Sequence, residues 1–544
     1  MPRRPGENHR DYRKRVIDPI SDSFCGAKWY NATIWLGHGG TASCHHPPAH
    51  NINVEEIKDN PSAIHNTKHK KKMRELMLKG ERPNECEYCW KIEDMGRDSD
   101  GEQPVSDRTF KTVIYKDEDI DRIATADPYD DVNLKTLEIA FDRTCNFACS
   151  YCNPAFSTTW VKDIRKHGGY RNIQSDARGH FIDDAPYADP FERKEINPFV
   201  DAFWRWWPEL STELEEIRVT GGEPMMAPSV WKLFDWFDET DEPNSKNMRF
   251  AINSNLGCKD SLMDKLVERS QAVNKFQIYT SCEAFGAQAE YIRDGLEWEV
   301  YEKNFRRACS EVNTESVIMM MTINALCLDS ITDFLDWCLE MKKQYGAHKP
   351  GLSVNILRFP SFQSALTLPD RLRTKYHNQL VDWLTKARHL KDLDPNGQPL
   401  IMEHEIVQIT RLIEYLDVVK TPHRNTAERS KLLNDFKAFY RQYDERRGKD
   451  FAATFPGDMA AFYESIQESE ADPNEDVQAP NTMGIGPGVY VKREVTEDGE
   501  VRVVERQMKS RQTGESDDTY VNDEEDSKPG SSIGWNTDTD GLGA

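Results

Sequence analysis

The chain has 544 residues, 38% of them hydrophobic and 30% charged, with a formal net charge of −23. That length exceeds what one core usually organises and predicts one large catalytic unit with appended modules, while the acidic balance disfavours general nucleic-acid binding, whose affinity comes from Lys and Arg displacing counterions. The basic opening MPRRPGENHRDYRKR leads into no apolar segment and no stretch is long enough to span a bilayer, so a soluble cytoplasmic protein is expected, in which twelve cysteines point to metal before disulfides.

Residues 1–104 carry four cysteines, a short Trp-containing segment and a Lys-rich helical stretch, and read as a small cysteine-stapled module, with a polar connector at 105–133. From Leu134 apolar runs rich in Ile, Val, Phe and Thr alternate with amphipathic helices, the pattern of parallel strands and crossovers. The pattern predicts strands at 136–141, 216–220, 248–253, 275–280, 316–323 and 352–357, with helices at 198–210, 230–237, 261–269, 297–312 and 330–345. An α/β fold follows, an incomplete (β/α)6 TIM-like barrel over 134–365 with its strand C-termini on one face. The polar interval 166–189 reads as an insertion near that face. A helical extension or lid is expected at 366–466 and an acidic, largely disordered tail at 467–544, where nineteen Asp and Glu face seven Lys and Arg. Within the tail, alternation around Asp498-Gly499 is a hairpin signal.

The chemistry is concentrated in TLEIAFDRTCNFACSYCNP, where Cys145, Cys149 and Cys152 form a CxxxCxxC array directly after a predicted strand. Three thiolates can hold three irons of a cubane cluster and leave the fourth to a small chelating molecule; a zinc site or buried core cysteines are the plainer readings of the same spacing. The next predicted strand ends in Gly221-Gly222-Glu223-Pro224, where residues without side chains let a ligand lie against the backbone.

These two elements in this order, with Tyr151 before the last cysteine, resemble the radical S-adenosylmethionine superfamily over residues 134 to about 360. The resemblance implies reductive cleavage of S-adenosylmethionine (AdoMet) at a 4Fe-4S cluster on Cys145, Cys149 and Cys152, giving a 5'-deoxyadenosyl radical that abstracts hydrogen from a substrate. It implies that Gly221, Gly222, Glu223 and Pro224 bind the methionyl amine, that Tyr151 packs near the adenine, that Ser281 contacts ribose or carboxylate, and that Arg293 pairs with the cofactor carboxylate. Asn253 and Ser254 are similarly placed for the ribose. Against these stand ordinary roles: a core aromatic for Tyr151, a surface helix residue for Arg293, a turn for Asn253 and Ser254. One departure is visible: where related enzymes often read Leu-Asp after the serine of the fourth strand, this chain has Cys282-Glu283.

In the front module Cys25 and Cys44 flank Gly39, and Cys86-x-x-Cys89 follows a helix-like stretch. This is similar to the twitch or SPASM accessory module and implies an auxiliary 4Fe-4S cluster for electron transfer; four cysteines suffice for one cluster, so twitch is the better comparison. Here the module precedes the barrel. A structural zinc ribbon is the rival, and a zinc-binding interaction scaffold using both cysteine sets is the alternative to an enzyme. His45 and His46 are expected at the surface or behind the ligands. Cys258, Cys282, Cys309, Cys327 and Cys338 are expected to pack, with Cys282 the one to watch. No catalytic acid or base is read. The partners implied are a one-electron donor such as flavodoxin or ferredoxin and a peptide or small-molecule substrate, with no membrane.

Overall fold

In the strand-forming segments, Leu137 and Ile139, Ile217 and Val219, Phe250 and Ile252, and Phe276 and Ile278 are all buried, while Glu138, Arg218, Ala251 and Gln277 take the alternate positions. Successive side chains of a strand face opposite ways, so one sheet surface is apolar and meets helices while the other carries a polar band.

The computed structural model describes residues 4, 6–96, 104–181, 195–418, 426–470, 489–495 and 501–508. Its strands are β1 (Asn31–Trp35), β2 (Gly40–Ala42), β3 (His50–Asn51), β4 (Thr136–Ala140), β5 (Ala148–Cys149), β6 (Glu195–Ile196), β7 (Glu216–Thr220), β8 (Arg249–Ser254), β9 (Lys275–Ser281), β10 (Arg293–Asp294), β11 (Ser316–Ile323), β12 (Gly351–Ile356), β13 (Val489–Val495) and β14 (Val501–Met508). Nine of them form one sheet in the order β12-β11-β9-β8-β7-β4-β1-β2-β3. From β4 to β12 the strands follow chain order and pair in parallel, so each crossover winds the same way and the helices gather on the apolar face. The helices that connect these strands include Pro198–Leu210, Pro228–Glu239, Asp260–Ser270, Trp298–Ser310 and Ile331–Tyr345. The six expected strands are all present, and the sheet stays open, as an incomplete barrel does.

The front of the chain departs from the expectation of a separate module. β1 joins β4 in parallel, pairing Thr33 with Glu138 and Ile34 with Ile139, so the barrel sheet has a seventh parallel strand, extended by antiparallel β2 and β3. The segment 105–133, expected as a polar connector, forms helices Asp107–Thr112 and Asp117–Thr125. They bury Ile120 and Ile123, and Arg108 Nε donates to Glu93 Oε1 at 2.6 Å with both side chains nearly inaccessible.

The helical extension closes the open sheet edge. The outward amides of β12 would be exposed donors; instead Leu352 N donates to Glu405 Oε1 at 2.7 Å and Val354 N to Gln408 Oε1 at 2.6 Å, both acceptors on helix Glu403–Val418. Glu405 in turn receives Lys342 Nζ at 2.6 Å, and neither side chain has any exposure. The described part of the 166–189 interval also packs on the extension: Gln174 N and Ser175 N donate to the Asp435 carboxylate on helix Thr426–Arg447. In the acidic tail, β13 and β14 pair antiparallel as the hairpin signal implies, but the Asp498-Gly499 turn and the rest of the tail beyond 470 lie outside the described residues. Among the described residues no helix is long and apolar enough to cross a membrane.

Glu405→Ala leaves Lys342 buried and unpaired and strips an amide of β12 of its acceptor. The expected cost is about 3–5 kcal/mol, read as a lowered urea midpoint; a midpoint within error of the parent's would show that the edge does not depend on this pair.

Candidate functional site

The β4 strand ends in a loop whose path is set by local hydrogen bonds. Asp142 Oδ1 accepts from Thr144 N at 2.8 Å and turns the chain toward Cys145. Ser157 Oγ donates to Phe147 O at 2.6 Å, Thr159 Oγ1 to Cys145 O at 2.7 Å, Trp160 Nε1 to Cys149 O at 3.0 Å, and Gln363 Nε2 to Ser150 O at 2.9 Å. The loop's carbonyls are thus held by side chains from two helical segments, which leaves the thiols to face inward. Cys145, Cys149 and Cys152 are all half-buried, and each lies within electrostatic reach of another of the three. Burial pushes the Cys145 thiol up to about 12 and the Cys149 thiol up to about 11, so without metal they stay protonated, and a metal must displace those protons to bind.

The glycine pair lies on the same rim, on the adjacent strand. Gly221 sits at φ +122°, and a Cβ on Gly222 would stand 2.3 Å from Thr144 O. Glu223 N donates to Thr144 O at 2.7 Å. The glycines therefore let the β7 end press its backbone against the segment entering the cysteine loop. Glu223 is turned inward: its carboxylate accepts from Ser254 Oγ at 2.8 Å, Asn255 N at 2.7 Å and Met225 N at 3.1 Å, tying the β7 and β8 ends together. Burial raises its pKa to about 7 against these hydrogen bonds. Pro224 begins the short turn Pro224–Met226 that follows.

Asn253, in register with Tyr279 of β9, lies on the concave face, and its Oδ1 is buried without a hydrogen-bond partner. Ser281 alternates with Tyr279 on that same face and is half-buried. Ser254 is committed to Glu223. Cys282 faces the other way, with no exposure and its Sγ near Ala284 O, inside the helix-side core; the two-residue alternation of the strand turns it away from the face of Ser281 and into the packing role expected of the single cysteines. The four other single cysteines are likewise buried in that core.

Arg293 is not on an exposed helix face. It lies in β10, which pairs antiparallel with β5 so that Arg293 stands opposite Cys149. Its guanidinium holds Glu283, with Nε 3.2 Å from Oε2, and its Nη1 reaches Cys149 Sγ at 3.9 Å. Tyr151 OH donates to the other Glu283 oxygen at 3.1 Å, and the guanidinium stands 5.6 Å over the Tyr151 ring. Tyr151, Glu283 and Arg293 are each at most 5% exposed. Sequence reasoning missed His180: carried in by the 166–189 interval, it is buried with its ring within 3.1 Å of Asn153 Nδ2, next to Cys152.

The second cysteine set lies at the other end of the sheet, because Cys25 precedes β1 and Cys44 follows antiparallel β2. Cys25, Cys44 and Cys86 all act electrostatically on Cys89, so the four converge. Burial pushes the Cys86 thiol up to about 12, with the buried Lys28 ammonium opposing; Lys28 itself pairs with Glu85. His45 and His46 are not at the surface, their side chains being 12% and 8% exposed. His46 Nε2 lies 2.6 Å from Asp107 Oδ2, and its ring stacks on Tyr88 within the Cys86–Cys89 turn at 3.8 Å.

Between the two cysteine sets the concave face carries Glu138 and Arg218, directly paired in register. Arg218 is clamped by Glu216 Oε1 at 3.1 Å, by Tyr279 OH at 3.2 Å and by the Tyr279 ring at 4.3 Å, while its Nε has no partner. Burial raises the Glu138 pKa. A charge at the alternate position of an otherwise apolar strand was the sequence signal for both.

No family model and no curated protein matches the chain. Among solved structures, one described as native anSMEcpe with bound AdoMet and Kp18Cys peptide is 14% identical, the match covering 48% of this chain and 63% of that one at a TM-score of 0.29. SuiB of Streptococcus suis bound to S-adenosylmethionine is 14% identical over 54% of this chain and 56% of that one, at a TM-score of 0.30. The chain thus spans less than two thirds of either. Likeness at this level assigns no residue and no activity to the chain; these rest on the geometry of the site.

A carboxylate whose pKa is raised on folding contributes stability below its unfolded value and loses it as pH climbs through the folded value. The parent protein, free of metal, is therefore expected to lose up to about 3 kcal/mol from this group between pH 4.5 and about 7. Glu223→Gln flattens that slope in urea titrations at successive pH; parallel slopes in the two proteins would remove Glu223 as the source.

Proposed function

We propose that the chain is a radical S-adenosylmethionine enzyme in which Cys145, Cys149 and Cys152 hold a 4Fe-4S cluster and Cys25, Cys44, Cys86 and Cys89 hold an auxiliary one. The observation that carries this reading is the gathering of three thiols on the strand C-terminal rim, locked to the Gly221-Gly222 strand end. The neighbouring concave face supplies an orphaned acceptor, Asn253 Oδ1, which a polar cofactor group such as a ribose hydroxyl or an amine would satisfy.

When bound, the clusters supply the electron for reductive cleavage of AdoMet, leading to hydrogen abstraction from a substrate, and an electron-transfer station at the far rim. The chain's own residues do the positioning. Gly221 and Gly222 fix the cysteine loop, Glu223 joins the β7 and β8 ends, Asn253 and Ser281 line the cofactor's side of the concave face, and Tyr151 walls it. The substrate, a peptide or small polar metabolite, lies against the concave face, where the Arg218 guanidinium stands beside the Glu138 carboxyl, whose pKa burial raises. A flavodoxin- or ferredoxin-like donor delivers electrons from outside.

Anaerobic reconstitution is expected to give about eight irons and as many sulfides per chain, with 5'-deoxyadenosine formed from AdoMet and dithionite. Replacing Cys145, Cys149 and Cys152 together by Ala leaves about four irons and no 5'-deoxyadenosine. Zinc without sulfide in both cysteine sets would instead identify a zinc-binding scaffold.

A further inference from the structure

Glu283 occupies the place where the sequence departs from its relatives' pattern, and the structure gives it a definite occupation. One carboxylate oxygen receives Tyr151 OH, the other receives Nε and Nη2 of Arg293. The guanidinium so fixed has its remaining nitrogen, Nη1, directed at Cys149 Sγ, 3.9 Å away. The pairing of β10 with β5 places Arg293 and Cys149 opposite each other on the backbone, so the contact is built into the ladder as well as into the side chains. Burial makes the arrangement rigid, since Arg293 is 3% and Glu283 1% exposed.

From this geometry we infer that Glu283 is a positioning residue that commits Arg293 to the sulfur of Cys149, where it sets the reduction potential of the cluster, and withholds it from the AdoMet carboxylate. The inference rests on the reading of Cys149 as a cluster ligand. An N–H donor and a positive charge beside a ligating sulfur favour the reduced, more negative cluster, and hydrogen bonds to the sulfurs are among the factors that set such potentials. The Glu283 carboxylate offsets part of that charge and at the same time fills the fork that would otherwise grip a substrate-side carboxylate. A guanidinium already held through Nε and Nη2 on one carboxylate oxygen of a buried site is released only by breaking the pair, which leaves a buried charge unpaired.

The test uses the reconstituted full-length protein without AdoMet, its cluster potential followed by redox titration with EPR detection. Glu283→Gln, nearly the same shape but uncharged, is expected to shift the cluster at Cys145–Cys152 to higher potential, by about 59 mV for a tenfold change in the one-electron equilibrium. Arg293→Lys, which keeps the charge but shortens the reach to Cys149, is expected to shift it lower while AdoMet affinity changes less than threefold. An unmoved potential in both variants, or a tenfold loss of AdoMet affinity in Arg293→Lys with the potential unchanged, overturns the inference. Should either variant fail to fold, wild-type protein grown on guanidino-15N arginine decides the matter: a 15N coupling in the reduced cluster's pulsed EPR spectrum without AdoMet supports it, and its absence overturns it. A parent protein that binds no iron and sulfide at Cys145, Cys149 and Cys152 would instead refute the enzyme reading itself.

Discussion

The close approach of two backbones at the β4 and β7 ends is the constraint on which the site depends. Gly221 and Gly222 have no side chains, and Asp142 O and Thr144 O occupy the space that Cβ atoms would need. That contact fixes where the chain enters the loop of Cys145, Cys149 and Cys152. The Glu223 carboxylate then carries the constraint one strand further, to Ser254 and Asn255. Three strand ends are thereby locked by backbone packing and buried hydrogen bonds, and a thiol array placed on them inherits their precision. The glycine pair thus acts on the protein itself, leaving room for the backbone of the segment that enters the cysteine loop.

The sheet from β4 onward was legible because its signals are local. Apolar residues at every second position and helices of matching length mark each β/α unit, and the expected boundaries fall within two residues of those observed. β1 was not legible: NATIW is five residues long and sits between cysteines, so its partner, more than a hundred residues away, could not be read from periodicity. The helices of 107–125 were obscured by polar composition, since Ile120 and Ile123 are the main buried apolar residues of the second one. Other outcomes depended on strand parity and pairing. The alternation of β9 already places Cys282 opposite Ser281. By contrast, Arg293 looked like a helix residue, and only the β5–β10 pairing brings it to Cys149.

The two cysteine sets sit at opposite ends of the same sheet, which follows from the direction of β1 and β2 alone. The space between them is defined by side chains of the concave face, and those side chains are unlike a core. Thr33, Glu138, Arg218, Ala251, Gln277 and Ser316 form one continuous row across six strands. The opposite face at the same level is Ile, Val and Phe against helices. A sheet that needed only to be stable would gain from apolar residues on both faces.

The polar atoms of that row carry the argument one step further. Arg218 Nε, Ser316 Oγ and, one level nearer the cysteine loop, Asn253 Oδ1 are buried without hydrogen-bond partners. Each such group costs about 1–3 kcal/mol unless water or a ligand satisfies it. Arg249 Nε and Asn355 Oδ1 lie on the same face, so five such atoms line it among the described residues, and polar molecules that meet them explain this more economically than five unrelated defects. The guanidinium of Arg218 is held still by Glu216 and Tyr279, so it loses no further side-chain freedom when such a molecule arrives. The concave face is in this sense prepared for a polar guest, and the stability forgone there is recovered on the apolar face and at the sealed edge of β12.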